Sequence, residues 1–301
     1  MDLAPILLFV YDRPAHTRRV LASLAACHLA ADSHLYVCSD AARTTAQEAG
    51  VQAVRSILAE ATGFASIHII KREHNYGLAA NVIDGVTMLT REHGRVIVLE
   101  DDLTVAPHFL EYMNDALRMY ADEERVCNIN ACEFTGTPGL PETFFIQYIS
   151  SWGWATWERA WRLFEPDGQK LLSELRARRL THRFDFNGRY HFTRMLREQV
   201  EGKNHSWAIR WQASLFLADR LSLGVGRTLV VNEGFDGSGT NCGTDDVYAS
   251  TLYQGRIRVE QLSPVEEDAD VREAFGRYYG RMFSFWAKVR RRLRRILPLF
   301  S

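Results

Sequence analysis

Residues 96–113 read VIVLEDDLTVAPHFLEYM. Four apolar, mostly β-branched residues followed at once by Glu100-Asp101-Asp102 are the pattern of a strand covered on both faces that ends at a sheet edge. Upstream, Asn75–Thr90 places Leu78, Val82, Val86 and Leu89 on one helical face, and IHII at 67–70 predicts another strand. Before these come an Ala- and Glu-rich helical stretch, then HLYVC at 34–38, ending at Ser39-Asp40. Earliest in the chain, APILLFVY at 4–11 is a further buried strand. Asp12-Arg13-Pro14 breaks it, with Pro14 suited to a first helical turn, and Val20, Leu21, Leu24 and Cys27 form the apolar face of the helix that follows. The order βαβαβαβ predicts an α/β protein whose mainly parallel central sheet is flanked by helices. Beyond residue 113 the pattern is less regular. Strands are expected near 126–131, 144–149 and 229–233, and helices near 106–121, 155–164 and 207–219.

Ligands of open parallel sheets bind beyond the carboxyl ends of the strands. Arg13, Asp40, Asn75 and Asp101-Asp102 all stand just past expected strand ends, so they should converge on one crevice. Three successive carboxylates there repel one another unless a cation compensates them. Side chains alternate in direction along an extended segment, so one acid can face a metal while its neighbour faces another group. Hard divalent ions such as Mg²⁺ or Mn²⁺ suit carboxylate and phosphate oxygens. The glycine fingerprint of dinucleotide-binding folds and the Walker loop are both absent, as is the G-x-S-x-G elbow of serine hydrolases. The histidines show no metal-ligand spacing in the sequence.

Asp12-Arg13, Ser39-Asp40 and the 96–113 segment together resemble glycosyltransferases of the GT-A fold, a Rossmann-like α/β class. The resemblance is to the N-acetylglucosaminyltransferase I type and to bacterial sugar transferases of surface-polysaccharide pathways. NYGLAANVIDGV, beginning at Asn75, is similar to their Asn-x-Gly-x-x-x-Asn helix start, and SSWGWATWERAW, beginning at Ser150, resembles their acceptor-side Gly-Trp segment. It covers roughly residues 4–240. The resemblance implies that Arg13 contacts the nucleotide diphosphate and that Asp40 accepts a hydrogen bond from uracil. Asn75, Gly77 and Asn81 would line the donor pocket, Glu100 and Asp101 would reach the donor sugar and ribose, and Asp102 would hold Mn²⁺ or Mg²⁺ on the diphosphate. Such an ion stabilises the charge of a departing nucleoside diphosphate. A planar guanidinium at Arg13 suits phosphate.

Two departures accompany the resemblance. A late metal-ligating histidine is missing, the last histidine being His205. The Trp-rich stretch SWAIRW at 206–211, where those enzymes carry an aspartate base, has no carboxylate. Asp236, between glycines, is the first alternative base and Glu158 the second. Trp152 and Trp154 precede the expected 155–164 helix and are placed to stack on an acceptor sugar, whereas Trp157 and Trp161 lie one helical turn apart. The Arg-rich stretch 176–197 reads as a solvated helical face, or as a binding surface for a phosphate-bearing lipid-linked acceptor.

The chain has 301 residues, 47% hydrophobic and 24% charged, which excludes disorder and collagen-like or disulfide-scaffold classes. Five scattered cysteines without a CxxC pair argue against a zinc module and for a reducing compartment. The amino-terminal segment lacks the basic region of a signal peptide, and no run approaches the roughly 20 apolar residues of a membrane span. A cytoplasmic protein is expected. The net charge of −1 hides an asymmetry, because residues 277–301 carry eight Lys/Arg and no acid. Apolar residues at 286, 289, 293, 296 and 297 share a helical face there, the pattern of a cationic amphipathic helix on an anionic membrane surface. The acidic remainder speaks against nucleic acid. The expected organisation is a nucleotide-sugar half over 1–105, a less regular acceptor half over 106–270 and a basic tail over 271–301. The expected activity is metal-dependent transfer of a hexosyl or N-acetylhexosaminyl unit from a UDP-sugar to a glycan or lipid-linked hydroxyl in bacterial cell-surface polysaccharide synthesis, at the inner face of the cytoplasmic membrane. The alternatives are a sugar-phosphate nucleotidyltransferase, which would want a Gly-rich loop after the first strand, and a non-catalytic transferase fold that acts as a membrane-surface scaffold.

Overall fold

Strand pairing organises the chain. The computed structural model describes residues 2–234 and 251–282. Its first strands, β1 (Ile6–Val10), β2 (His34–Ser39), β3 (Ser66–Lys71) and β4 (Arg95–Glu100), pair in parallel in the order β3-β2-β1-β4. Phe9 stands opposite Glu100 and Val10 opposite Ser39, so the carboxyl ends of β1, β2 and β4 lie level. Between them run α1 (Pro14–Ala25), α2 (Thr45–Glu60) and α3 (Gly77–His93), the crossover helices that the expected βαβ units require. Val82, Val86 and Leu89 of α3 are buried as the spacing predicts. Leu78 is 41% exposed, because it falls in the first turn, past the sheet edge.

After the acid triplet, β5 (Leu103–Val105) leaves the main sheet and pairs antiparallel with β10 (Val230–Asn232). Next come α4 (Phe109–Met119), β6 (Val126–Asn130) and β7 (Thr143–Ile146). The expected helix over 155–164 is mostly absent. Trp154–Trp157 is instead strand β8, and helix is confined to α5 (Glu158–Trp161). The short WATW run suits a pleated position buried on both faces, and Thr156 Oγ1 donates to the Cys127 carbonyl at 2.8 Å. β8 pairs antiparallel with both β4 and β6. With β9 (Leu221–Val225), the central sheet has, among the described residues, eight strands in the order β3-β2-β1-β4-β8-β6-β9-β7, of which β7 and β8 run against the rest. The expectation of a mainly parallel central sheet flanked by helices is met.

Helices α6 (Gly168–Ala177), α7 (Thr181–Phe184), α8 (Phe192–Val200) and α9 (Trp207–Leu217) complete the second half. Two apolar clusters divide the core. One spans the sheet from Ala4 to Val230, and the other joins Leu171, Leu175, Phe184 and Phe216 to Phe275 and Tyr279 of α10 (Ala269–Met282). The expected tail from residue 271 therefore begins inside a packed helix, with Val271, Ala274, Phe275, Tyr279 and Met282 buried. The apolar-and-arginine pattern read at 286–297 lies outside the described residues. No helix among the described residues is long and apolar enough to cross a membrane.

Candidate functional site

The level strand ends bring Arg13, Asp40 and Glu100-Asp101-Asp102 to one edge of the sheet. Arg13 stands immediately before α1, and its guanidinium bridges two acids. It is hydrogen-bonded to both carboxylate oxygens of Asp101 and reaches Asp102 Oδ2 at 3.2 Å. The Asp101 and Asp102 side chains are only 5% and 8% exposed. Burial works against the Arg13 charge, yet the two aspartates raise its pKa above the ordinary value. Its Nη1 is buried without an acceptor. Burial raises the Asp101 carboxyl, with Asp102 adding and Arg13 opposing. The Glu100 carboxyl is pushed up to about 8, by burial first and then by the charges of Asp102 and Asp101. Among the described residues, three acids thus gather around the Arg13 guanidinium, and repulsion from Asp102 and Asp101 adds to burial in raising Glu100.

The β5–β10 pairing closes one side of this cleft. Leu103 stands opposite Asn232, the Glu233 N–H donates to the Asp102 carbonyl at 2.8 Å, and Asn232 Nδ2 approaches Asp102 Oδ1 at 3.4 Å. The Gly234 backbone runs directly past the Asp102 carboxylate. Glu233 is held away by Arg19 at 2.5 Å and by the Thr104 hydroxyl at 2.7 Å. The oxygen-only donor set of Asp102 and its neighbours suits a hard divalent cation that takes its remaining ligands from a diphosphate.

Asp40 differs from the role that the resemblance implies. Its Oδ1 accepts from the Ala41 and Tyr76 N–H groups, each at 2.9 Å, and its Oδ2 from the Gly77 N–H at 2.9 Å and Asn75 Nδ2 at 3.2 Å. All four lone-pair positions are occupied within the protein, so none is left for a uracil N–H. Asp40 instead ties the start of α3 to β2, since unpaired N–H groups at a helix start attract a carboxylate. Asn75 also donates to the Ala41 carbonyl at 2.8 Å and so braces the same junction. Asn81 is 3% exposed and accepts from Arg72 Nε at 2.9 Å, which aims it at Arg72 rather than at a donor pocket. Gly77 has φ +71 with open space where a Cβ would stand, so glycine is required there by the backbone alone.

Of the acceptor tryptophans, Trp154 is 1% exposed and stacks on Trp207 at 5.1 Å between ring centroids. It is a core residue, because β8 turns it into the space between sheet and helix, and it cannot stack on a sugar. Trp152 is half-buried at the same sheet edge as the acids. Glu158 follows β8 at the opposite edge. Its N–H donates to the Gly94 carbonyl at 2.8 Å and its carboxylate pairs with Arg162 at 2.7 Å. Six residues of β4 put it about 20 Å from Glu100, which removes it as a base. Asp236 lies outside the described residues.

Two acidic features escaped the sequence reading. Glu133 is 6% exposed, three residues past the carboxyl end of β6, and accepts from Thr135 N at 2.6 Å, Thr135 Oγ1 at 2.5 Å and Gly136 N at 3.1 Å. Burial raises its carboxyl above the ordinary range against these donors. Only the pairing of β6 with β8 reveals that it shares an edge with the acid triplet. The second feature is the group His28, His108 and Glu111, whose ligating atoms lie within 4.8 Å of one another. His108 and Glu111 are three residues apart, so half of a ligand spacing was present in the sequence, and its partner is 80 residues earlier.

No family model matches the chain, and no curated protein matches it. Among solved structures, S. aureus TarS is similar over 50% of this chain and 28% of its own, at 14% identity and a TM-score of 0.37. TarS 1–349 in complex with UDP-GlcNAc is similar over 46% of this chain and 37% of its own, at 15% identity and a TM-score of 0.32. The mannosyltransferase PcManGT from Pyrobaculum calidifontis, in complex with GDP-Man and Mn²⁺, is similar over 72% of this chain and 77% of its own, at 12% identity and a TM-score of 0.36. This chain spans between 28% and 47% of the lengths of the TarS chains it is similar to.

Proposed function

We propose that this chain is a metal-dependent glycosyltransferase. It moves a hexosyl or N-acetylhexosaminyl unit from a nucleoside diphosphate sugar to a hydroxyl of a glycan or lipid-linked acceptor in bacterial cell-surface polysaccharide synthesis. The observation that carries this reading is the gathering of buried Asp101 and Asp102 and half-buried Glu100 around the Arg13 guanidinium at the carboxyl ends of β1 and β4. Uridine as the base comes from the sequence resemblance, since Asp40 is fully engaged within the protein.

In this reading Asp102 would hold Mn²⁺ or Mg²⁺ together with the donor diphosphate, and the ion when bound would supply Lewis-acid stabilisation of the leaving charge. Arg13 keeps Asp101 and Asp102 apart at fixed positions and offers Nη1 to a phosphate oxygen. Glu100 and Asp101 stand where donor hydroxyls arrive, and Trp152 offers an aromatic face to the acceptor. The acceptor oxygen bonds to the anomeric carbon as the bond to the diphosphate breaks, and the hydroxyl proton passes to a carboxylate. Glu133 takes that role here, because burial raises its proton affinity and it lies two strand spacings, about 10 Å, from β4. Asp236 is the alternative base. The basic segment at 283–301 would hold the enzyme against an anionic membrane that carries the acceptor.

The test is calorimetric titration of UDP and of GDP into the protein with and without Mn²⁺, repeated on Asp102→Ala. Binding that needs Mn²⁺ and is lost in the variant is expected. Binding indifferent to both would reject the metal-dependent site.

A further inference from the structure

We propose that His28, His108 and Glu111 form a Zn²⁺ site, separate from the acid cleft. The two histidines come from different elements. His28 follows α1, and its N–H donates to the Pro107 carbonyl at 2.9 Å. His108 stands immediately before α4, with its carbonyl accepting from the Tyr112 N–H at 3.1 Å, and Glu111 lies in the first turn of that helix. The Cys27 thiol, on the Ala106 carbonyl at 3.3 Å, fixes the same junction from the neighbouring residue. Backbone contacts therefore set the two histidines side by side.

Both Nδ1 atoms converge on a single oxygen, Glu111 Oε2. His28 reaches it at 3.1 Å and His108 makes a short contact with it. The two rings stand edge to face, 4.4 Å apart at 87°. Ligand atoms of a tetrahedral zinc centre with bonds of about 2.0–2.1 Å lie about 3.3 Å apart, and the three ligating atoms here already lie within 4.8 Å of one another, so small side-chain rotations would seat the ion. Two imidazoles and one carboxylate suit Zn²⁺, whereas Mg²⁺ and Mn²⁺ prefer all-oxygen sites. The fourth position faces solvent, because the His28 side chain is 55% exposed while His108 and Glu111 are 21% and 19% exposed. The nearby Arg256 is matched by Asp115 at 3.3 Å, one turn further along α4.

The twelve residues of α1 separate this group from Arg13, about 18 Å along the helix. The assignment is thus independent of the transferase reading. A bound ion would clip the end of α1 to the start of α4, and so brace β5, which leads out of the acid cleft.

The experiment titrates Co²⁺ into the chelator-treated full-length protein and follows its visible absorption, then displaces it with Zn²⁺. One equivalent should bind, with the intense bands of a low-coordinate site, and Asp102→Ala should leave the result unchanged. His28→Ala and His108→Ala should each weaken Zn²⁺ by about tenfold or more, at least the loss seen when outer-shell partners of a metal are removed. Zn²⁺ at a hundredfold excess over its dissociation constant should raise the Tm of the parent by about 5 °C and that of His28→Ala not at all. Metal-free far-UV circular dichroism verifies that the exposed His28 variant is folded. Zn²⁺ affinity unchanged in both histidine variants, or no binding by the parent, would overturn the site. Equal competition by Mn²⁺ would do so as well.

Discussion

A β-carbon built on Gly234 would lie 2.6 Å from Asp102 Oδ2 and 3.0 Å from Asn232 Oδ1. The chain after β10 is thus pressed against the carboxylate assigned to the metal, and only glycine allows that approach. Gly234→Ala must push the Asp102 carboxylate aside. A displacement of about 1 Å at a reacting centre costs on the order of a hundredfold in rate. We expect turnover to fall by at least about tenfold and the Mn²⁺ requirement to rise, with far-UV circular dichroism unaltered. Unchanged Mn²⁺ dependence would show that the Asp102 carboxylate does not hold the ion.

Asp40→Ala separates two roles for one residue. The carboxylate serves four donors that join β2 to α3. Removing it should cost about 1–3 kcal/mol in urea unfolding, as for buried donors left without an acceptor. Affinity for UDP should be largely retained. A large loss of UDP affinity with full stability would restore the direct contact to uracil.

Truncating the two acceptor-segment tryptophans should give opposite profiles. Trp154→Ala opens a cavity in the core and should destabilise the fold by about 3–5 kcal/mol. Trp152→Ala, half-buried at the site edge, should cost less stability and instead raise KM for the acceptor. Equal unfolding midpoints for the two variants would contradict the burial.

Glu133→Gln addresses the base and carries a pH signature. Its carboxyl is raised in the folded state above the ordinary 4.5, burial being the main cause. The folded protein then binds more protons than the unfolded chain between 4.5 and the raised value, so stability falls as pH rises through that window. Relative to Glu133→Gln, the parent should therefore gain stability when pH is lowered from neutrality toward 4.5. If Glu133 is the base, kcat should fall by about 100-fold or more while the donor dissociation constant holds. A normal kcat would leave it as a loop tie for Thr135 and Gly136.

The parallel half of the molecule was legible because its strands are continuous apolar runs that end on charges. Val96–Leu99 before Glu100 is the clearest instance, and Arg13 with the acid triplet followed from it. What escaped depended on pairing over long separations. Trp154–Trp157 reads equally well as helix or strand, and only its insertion between β4 and β6 decides the matter. Glu158 was misjudged for the same reason, since the direction of β8 carries it to the far edge. Asp40 was placed correctly, but its bonds to Tyr76 and Gly77 were invisible, because backbone donors leave no trace in residue type. Glu133 and His28 have no local motif at all.

The order of the sheet also dictates how the molecule must be made. β4 is flanked on one side by β1, but its other neighbour is β8, nearly sixty residues later, and β5 waits for β10 at Val230. At about 5–20 residues per second, a ribosome needs roughly 6–25 s to travel from β5 to its partner. For the earlier part of that interval, until Trp154–Trp157 emerges, β4 displays a bare apolar strand edge, the kind of surface that seeds misassembly. Synthesis of this protein therefore passes through a half-sheet that cannot yet close its cleft.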